Sequence, residues 1–381
     1  MKIKLKIIFL LFLCLFRYII SGKATKRQKT LNNVMVFQGA KLGDMVCTTP
    51  MFRAIKNRYP KCYLFVVGNA TNKQLLECNS DVDNYIVFEQ RRMFSVIRDV
   101  KRENINFACI TGPDFFNLAV LYLAGVPLIT APFIEGGFSP HETISYRFLR
   151  KLVTTKPHNM GKYAPREYLR LLETINICSD NTEKHLSFSI KADTKIKELF
   201  SQYKDKVLIG ISPSAGNKIK EWSTVRFAEV ANYIALHYNA IIVIIGGPND
   251  LKYAEEMKST FIKDVQYIDT TGILSIDELK AAISKLDLFI SVDTGPLNIA
   301  VAFNVPTVNI LGPVPEWSVS ISRFNRIVTN RVGVKHVISP MNNHDVDFKE
   351  ARRQANAITA EMVINVVNDL CAILFRDSAN I

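Results

Sequence analysis

An aspartate directly behind a glycine, where an apolar strand gives way to a helix, can act as a base or as a cap. In GAKLGDMVCTTP, from Gly39 to Pro50, Asp44 follows the apolar run VMVF and precedes the helix-like FRAIKNRYP. Its side-chain oxygen can accept orphan backbone N–H bonds or take a proton from a substrate hydroxyl. Two further stretches share the layout. ISPSAGNKIKEWSTVRF (Ile211–Phe227) passes from a strand through small residues, Ser214 among them, to Lys218 and Lys220, with Trp222 and Ser223 at a helix start. SVDTGPLNIA (Ser291–Ala300) ends a strand in Asp293-Thr294-Gly295-Pro296 and opens a helix. A helix N-terminus offers unsatisfied N–H groups and a positive dipole end, which suits phosphate. Thr294 adds a hydroxyl, Gly295 allows close backbone approach, and Lys220 supplies a full charge where a diphosphate would leave. None of the three is a Walker A loop or a GxGxxG fingerprint. Singly each reads as ordinary fold geometry, and a lysine pair as a solvated face; their weight lies in the set.

Such junctions need a sheet to hold them. After a basic linker, strand-like and helix-like segments alternate, the pattern of a parallel α/β sheet. The first half offers strands at 34–37, 63–68, 84–88, 107–111 and 127–131, the second at 207–212, 240–247, 265–270, 288–293 and 307–311. In WSTVRFAEVANYIALHY, Val225, Phe227, Val230, Ala231 and Ile234 recur at near-helical spacing. The halves echo one another: FACITGPDFFNLAVLYLAGVPLITAP parallels LFISVDTGPLNIAVAFNVPTVNILGP. Two Rossmann-like, doubly wound domains facing a central cleft are expected, with ligands at the strand carboxyl ends. The boundary is expected at the polar stretch 186–205, residues 134–165 as long loops with a short helix, and the stretch from Ile358 as a closing amphipathic helix.

At 381 residues the chain is long enough for more than one domain. Its formal charge of +13 suits anionic partners. No zinc-knuckle spacing or RNA-binding signature accompanies that charge, so nucleic acid is not expected as a partner. Seven cysteines without a CxxC pair favour a reducing compartment. The N-terminal MKIKLKIIFLLFLCLFRYIISGK has an unbroken apolar run from Ile7 to Phe16 with basic residues on both sides. Such a run is short for a span, which needs about 20 residues. An interfacial anchor on an anionic inner leaflet is the first reading, a cleaved signal the second and a full span the third.

Taken in order, GAKLGDMVCTTPMFRAIKNRYP, SPSAGNKIKEWSTVRFAEVANYI, IIGGPND and SVDTGPLNIAVAFNVPTVNILGP resemble the motifs of glycosyltransferase family 9, the ADP-heptose:lipopolysaccharide heptosyltransferases. The resemblance runs from residue 33 to about 313. It implies a GT-B fold with an acceptor-binding domain over 33–190 and a nucleotide-sugar-binding domain over 205–340, flanked by a membrane-proximal segment 1–32 and a helical tail 341–381. It implies inverting transfer from a nucleotide sugar to an anionic glycolipid of lipopolysaccharide type, needing neither metal nor cofactor, at the cytoplasmic face of the inner membrane. By matching position Asp44 is the general base, with Lys41, Gly43 and Thr49 on the acceptor side. Ser214, Lys220, Asp293, Thr294, Gly295 and Asn298 fall on the donor side.

The chain departs from the family at Asn298, where members often carry His, and lacks the frequent C-terminal cysteine cluster. His336 and His344, which stand in that region, are too far apart for a compact metal pair. These departures leave the donor open among heptose, hexose and deoxy sugars. Two other classes fit the layout. A UDP-sugar epimerase would need further acid/base groups, for which His141 and Glu142 are the available pair. A non-catalytic, membrane-tethered sugar-binding protein would not need Asp44.

Overall fold

Strands buried on both faces read as continuous apolar runs, and a parallel neighbour requires a crossover helix. The computed structural model describes residues 2–28, 30–320, 322, 324–330 and 347–374. Among these, residues up to His185 cluster as one compact unit and those from Leu186 onward as a second. His336 and His344 lie outside the described residues.

The first unit runs α1 (Lys2–Ser21), β1 (Asn33–Phe37), α2 (Leu42–Arg58), β2 (Tyr63–Gly68), α3 (Ala70–Leu76), β3 (Asn84–Val87), α4 (Met93–Arg102), β4 (Phe107–Ile110), α5 (Phe115–Ala124), β5 (Leu128–Gly136), α6 (Ile144–Leu149), β6 (Thr154–Asn159) and α7 (Ala164–Leu169). Its six strands are ordered β3-β2-β1-β4-β5-β6, and every pairing is parallel. The second unit runs α8 (Ile190–Phe200), β7 (Val207–Ser212), α9 (Thr224–His237), β8 (Ala240–Ile244), α10 (Leu251–Lys258), β9 (Tyr267–Asp269), α11 (Ile276–Ile283), β10 (Leu288–Val292), α12 (Gly295–Ala302), β11 (Thr307–Ile310), β12 (Asn325–Val328), α13 (Phe348–Asn356) and α14 (Ala360–Leu374). Its order, β12-β11-β10-β7-β8-β9, repeats the first sheet, again with parallel pairings. Each unit is a Rossmann-like doubly wound sheet whose strand order reverses between its first and fourth strands.

Three expectations change, and one strand is added. Residues 134–165 are not mainly loop: β5 continues to Gly136, and β6 pairs along it at the sheet edge. The β6 sequence TTKPHN has no apolar run, and its Pro157 fits an edge strand, where one side needs no N–H donor. β12, NRIV, is the matching edge strand of the second sheet and was equally hard to see in a short, partly polar stretch. Much of 186–205 is α8, a helix of the second unit with Ala192, Ile196 and Phe200 buried at four-residue intervals beneath a charged face. On α9 the buried stripe is Phe227, Val230, Ala231 and Ile234, while Val225 is exposed.

α2 holds a proline nine residues in, yet runs on to Arg58. Pro50 has no N–H for the Val46 carbonyl one turn back. The Thr49 hydroxyl donates to that oxygen at 2.8 Å and so replaces the missing bond. The same hydroxyl accepts the His185 N–H at 2.9 Å.

α1 packs along α5 and α6. Leu10, Cys14 and the following Ala24 belong to the core cluster of the first sheet. Burial pushes the Cys14 thiol up to about 12. The chain after α1 is tied down by Ala24 N–H to Leu152 O (2.9 Å), Ile129 N–H to Ala24 O (3.0 Å) and Lys26 N–H to Pro127 O (3.0 Å).

The end of β2 comes close to the end of β1. A Cβ on Gly68 would lie 2.6 Å from the Gln38 carbonyl oxygen and closer still to the Tyr85 hydroxyl. Gly68→Ala is therefore expected to cost about 1–3 kcal/mol, the usual range for overpacking. A lowered midpoint in urea with an unchanged slope checks this; an unchanged midpoint would mean the strands part freely.

Candidate active site

In the first unit, β1 delivers the chain into a turn fixed by amides. Gln38 is buried, its Oε1 accepting the Ala40 N–H at 3.0 Å and its Nε2 donating to Thr48 Oγ1 at 3.0 Å. Asn69 and Asn72 donate their side-chain amides to the Ala40 carbonyl at 3.0 and 2.9 Å. On the other side of the switch point, Thr111 bonds the Phe37 carbonyl through both its N–H and its hydroxyl, each at 3.1 Å. Asp114 then caps α5 by accepting the Asn117 N–H at 2.9 Å. Between the two turns lies a cavity of about 280 Å³, with Gln38, Asp114, Asn117 and His141 as polar lining and Phe88 and Phe116 as apolar walls.

Asp44 stands in the first turn of α2, where the N-cap position belongs to Lys41, whose side chain makes no capping bond. The plain N-cap reading of Asp44 therefore does not hold. Its carboxylate accepts a hydrogen bond from the Tyr168 hydroxyl on α7 at 3.3 Å. Tyr168 is buried; burial and, after it, the adjacent Asp44 carboxylate push the phenol well above its ordinary value, so it stays a proton donor. The Tyr168 ring stacks on His158 of β6, with centroids 6.0 Å apart. Burial holds His158 below the usual imidazole value, against the pull of the Glu167 carboxylate. A neutral imidazole, a protonated phenol and a carboxylate thus follow one another from β6 to α2.

Lys41 and Gly43 lie with Asp44 at the exposed and half-buried start of α2. Thr49 does not: it is fully buried, and its hydroxyl serves the helix repair and the tie to His185. The acceptor-side role expected of Thr49 is replaced by a structural one. Glu142 does not pair with His141 as acid/base partner. Its carboxylate, largely shielded, is engaged by Arg150, by Arg147 at 3.3 Å and by the Ile134 N–H at 3.1 Å.

In the second unit the corresponding loops are held by charge. Lys220 sits in the tight turn Lys218–Lys220 and meets Asp293 at 2.6 Å, both side chains mostly shielded from water. Ser214 is buried just after β7. Thr294 is the N-cap of α12 without a side-chain capping bond, its hydroxyl lying 3.1 Å from Ser291 Oγ. Gly295 opens the helix, and the Asn298 amide donates back to the Thr294 carbonyl at 3.0 Å. Lys220, Asp293, Thr294, Gly295 and Asn298 therefore gather at the end of β10, where a helix N-terminus and a lysine can receive an anion. Trp222 belongs to the core: its indole N–H donates to the Ile358 carbonyl at 2.9 Å, and its ring meets Phe227 edge-on. Among the described residues no three His, Cys, Asp or Glu are grouped to hold a metal ion.

Gln38 and Tyr168 were missed in sequence. A glutamine closing an apolar strand is a signal in hindsight; Tyr168, 124 residues beyond Asp44, offers none locally.

Two Rossmann-like units, one with a carboxylate and the other with a lysine-flanked helix N-terminus at its switch point, define the GT-B class of glycosyltransferase fold. A solved family 9 glycosyltransferase from Veillonella parvula shares it, with a TM-score of 0.71 at 20% identity over 91% of this chain and 99% of that one. Escherichia coli ADP-heptose lipopolysaccharide heptosyltransferase II does likewise, with a TM-score of 0.71 at 18% identity over 91% and 99%. In sequence, lipopolysaccharide heptosyltransferase 3 of Escherichia coli is 24% identical over 300 residues, 74% of this chain and 85% of that protein. The chain belongs to glycosyltransferase family 9 (heptosyltransferase), whose sequence profile matches residues 121–337.

Tyr168→Phe keeps the ring and removes only the donor. A hydrogen bond to a charged group contributes about 1.5–3 kcal/mol, so activity is expected to fall roughly 10- to 100-fold. Losing a donor to the carboxylate disfavours its charged form, so the acidic limb of the pH–rate profile should move to higher pH. An unmoved limb would show that the hydroxyl does not act on Asp44.

Proposed function

We propose that this glycosyltransferase moves a sugar from a nucleoside-diphosphate donor onto a saccharide hydroxyl of a lipopolysaccharide core or related glycolipid, with inversion at the anomeric carbon. The reading rests chiefly on one observation: Asp44 lies in the first turn of α2 beside the switch point of its sheet, with the Tyr168 hydroxyl on its carboxylate. In the reaction the acceptor oxygen bonds the anomeric carbon as its proton passes to Asp44. The bond from that carbon to the diphosphate oxygen breaks, and the electron pair leaves with the nucleoside diphosphate. Lys220 and the N–H groups that open α12 receive the departing charge. Asp293 keeps the Lys220 ammonium in position, at 2.6 Å.

The relatives support the donor and acceptor classes. One curated relative is named for lipopolysaccharide, and Escherichia coli heptosyltransferase WaaC has been solved with ADP and with ADP-2-deoxy-2-fluoro heptose. ADP-heptose is accordingly the first donor to try, ahead of hexose and deoxy-sugar nucleotides.

Purified protein would be offered ADP-heptose and a panel of other nucleotide sugars, with and without a lipopolysaccharide precursor extract. The expected result is acceptor-dependent release of a single nucleotide. In Asp44→Asn, release should fall about 10²- to 10⁴-fold, the range for loss of a general base, with nucleotide affinity unchanged. Full activity in that variant would remove Asp44 as the base. Lys220→Met should weaken nucleoside-diphosphate binding by roughly 10- to 100-fold, as expected for a lost charge-assisted bond. Calorimetric titration with ADP checks it, and unaltered affinity would take Lys220 out of the donor site.

A further inference from the structure

α1 is apolar on both sides. One side, with Leu10 and Cys14 at its centre, is buried in the core of the first unit. The other carries Leu5, Phe9, Phe12, Phe16 and Ile19, at intervals of three or four residues, with Ile8 beside them, each at least half exposed. A helix in water keeps a polar outer face, and an apolar stripe of this length on a surface marks an interaction site. The stripe continues onto neighbouring elements. Phe94 of α4, itself half exposed, meets Phe9 edge-on with centroids 6.5 Å apart. α6, which packs beside α1, exposes Ile144 and Phe148.

Charge selects the occupant. Every charged residue before Asp44 is Lys or Arg. A second copy of this face would bring like charges together, whereas an anionic lipid surface accepts both the apolar stripe and the cations around it. No single described helix is long and apolar enough to cross a membrane. We infer that α1, with Phe94 and the exposed side of α6, is a docking face that lies in the plane of an anionic bilayer, its outer stripe among the acyl chains.

The ties at 24–26 and the burial of Leu10 and Cys14 make α1 part of the folded unit. Its position also bears on the cavity beside Gln38. Lys6 donates to the Gln90 carbonyl at 2.6 Å and lies 5.7 Å from the Phe116 ring centroid, and Gln90 and Phe116 both line that cavity. Docking would hold the cavity at the lipid surface, where the sugar of a glycolipid acceptor could enter with its acyl chains still in the bilayer. This last step rests on the transferase reading above; the docking does not.

The test is sedimentation of the full chain with vesicles of phosphatidylglycerol and phosphatidylcholine, beside vesicles of phosphatidylcholine alone. The expected result is binding to the anionic vesicles, weakened by salt, and lowered about tenfold or more in the double variant Phe12→Glu, Phe16→Glu, where both apolar contacts are lost. Both substitutions are on the exposed side, so the melting temperature should hold. Phe12→Trp gives a second readout, a blue shift of its fluorescence when anionic vesicles are added. Protein that stays in the supernatant, a double variant that binds like the parent, or a Trp spectrum unmoved by vesicles would each overturn the docking face. So would a vesicle-free dimer abolished by the double variant, which would put a second copy on the stripe. If the double variant also slows nucleotide release with acceptor in vesicles but not in detergent, the coupling to the cavity stands; equal slowing in both would remove it. Absence of release in every format would count against the transferase reading and leave the vesicle result intact.

Discussion

Parallel strands joined by right-handed crossovers leave only one place where neighbouring connections part to opposite faces of a sheet. That constraint makes the site in each unit. In the first unit it lies between β1 and β4, in the second between β7 and β10. There the loops after adjacent strands diverge, and the helices that follow begin with backbone N–H groups lacking partners of their own. The two units use the same opening with different materials. Amide side chains from Gln38, Asn69 and Asn72 brace the first; an ion pair between Lys220 and Asp293 braces the second. Neutral bracing leaves Asp44 the principal negative charge at its own turn. Charged bracing stations a cation beside a helix N-terminus.

The Lys220–Asp293 pair also bears on why such a site can be built in advance of its ligand. A lysine on a flexible four-carbon stem loses rotamer freedom when it is fixed on an anion. Here part of that ordering is already in place, because the ammonium is held at 2.6 Å by a carboxylate on the neighbouring loop. On the donor-side role proposed for this loop, the same carboxylate would also repel a phosphate. Its mostly shielded position makes the geometry firm, and the N–H groups of α12 offset the repulsion.

Much of this was legible in the sequence because it lies in short segments. Apolar runs such as VMVF and LFISV, short, rich in β-branched residues and followed closely by Gly or Asp, fit central strands, and the echo between the halves foretold two copies of one layout. Lys220, Asp293 and Thr294 were legible because a strand–loop–helix junction keeps its chemistry within a few residues. The edge strands were not: TTKPHN pairs on one side only and needs no apolar face, so nothing in its pattern separates it from a loop. Tyr168 and His158 were hidden for a different reason. Their relation to Asp44 comes from tertiary packing, of α7 against α2 and of His158 on the Tyr168 ring, and no local spacing encodes it. Glu142 misled in the opposite direction: an acid beside a histidine looked chemical until two arginines claimed it.

Thr49 and Pro50 read at first as part of a functional signature, and the structure turns them into a grammatical one. The proline removes a backbone bond and the threonine restores it from the side chain. The proline makes the side-chain bond necessary, and the same threonine oxygen also holds the His185 N–H. Drift at Thr49 alone would leave both the Val46 carbonyl and the His185 N–H without their partner. The two residues thus keep the helix that carries Asp44 continuous through its proline, a role that needs no contact with a substrate.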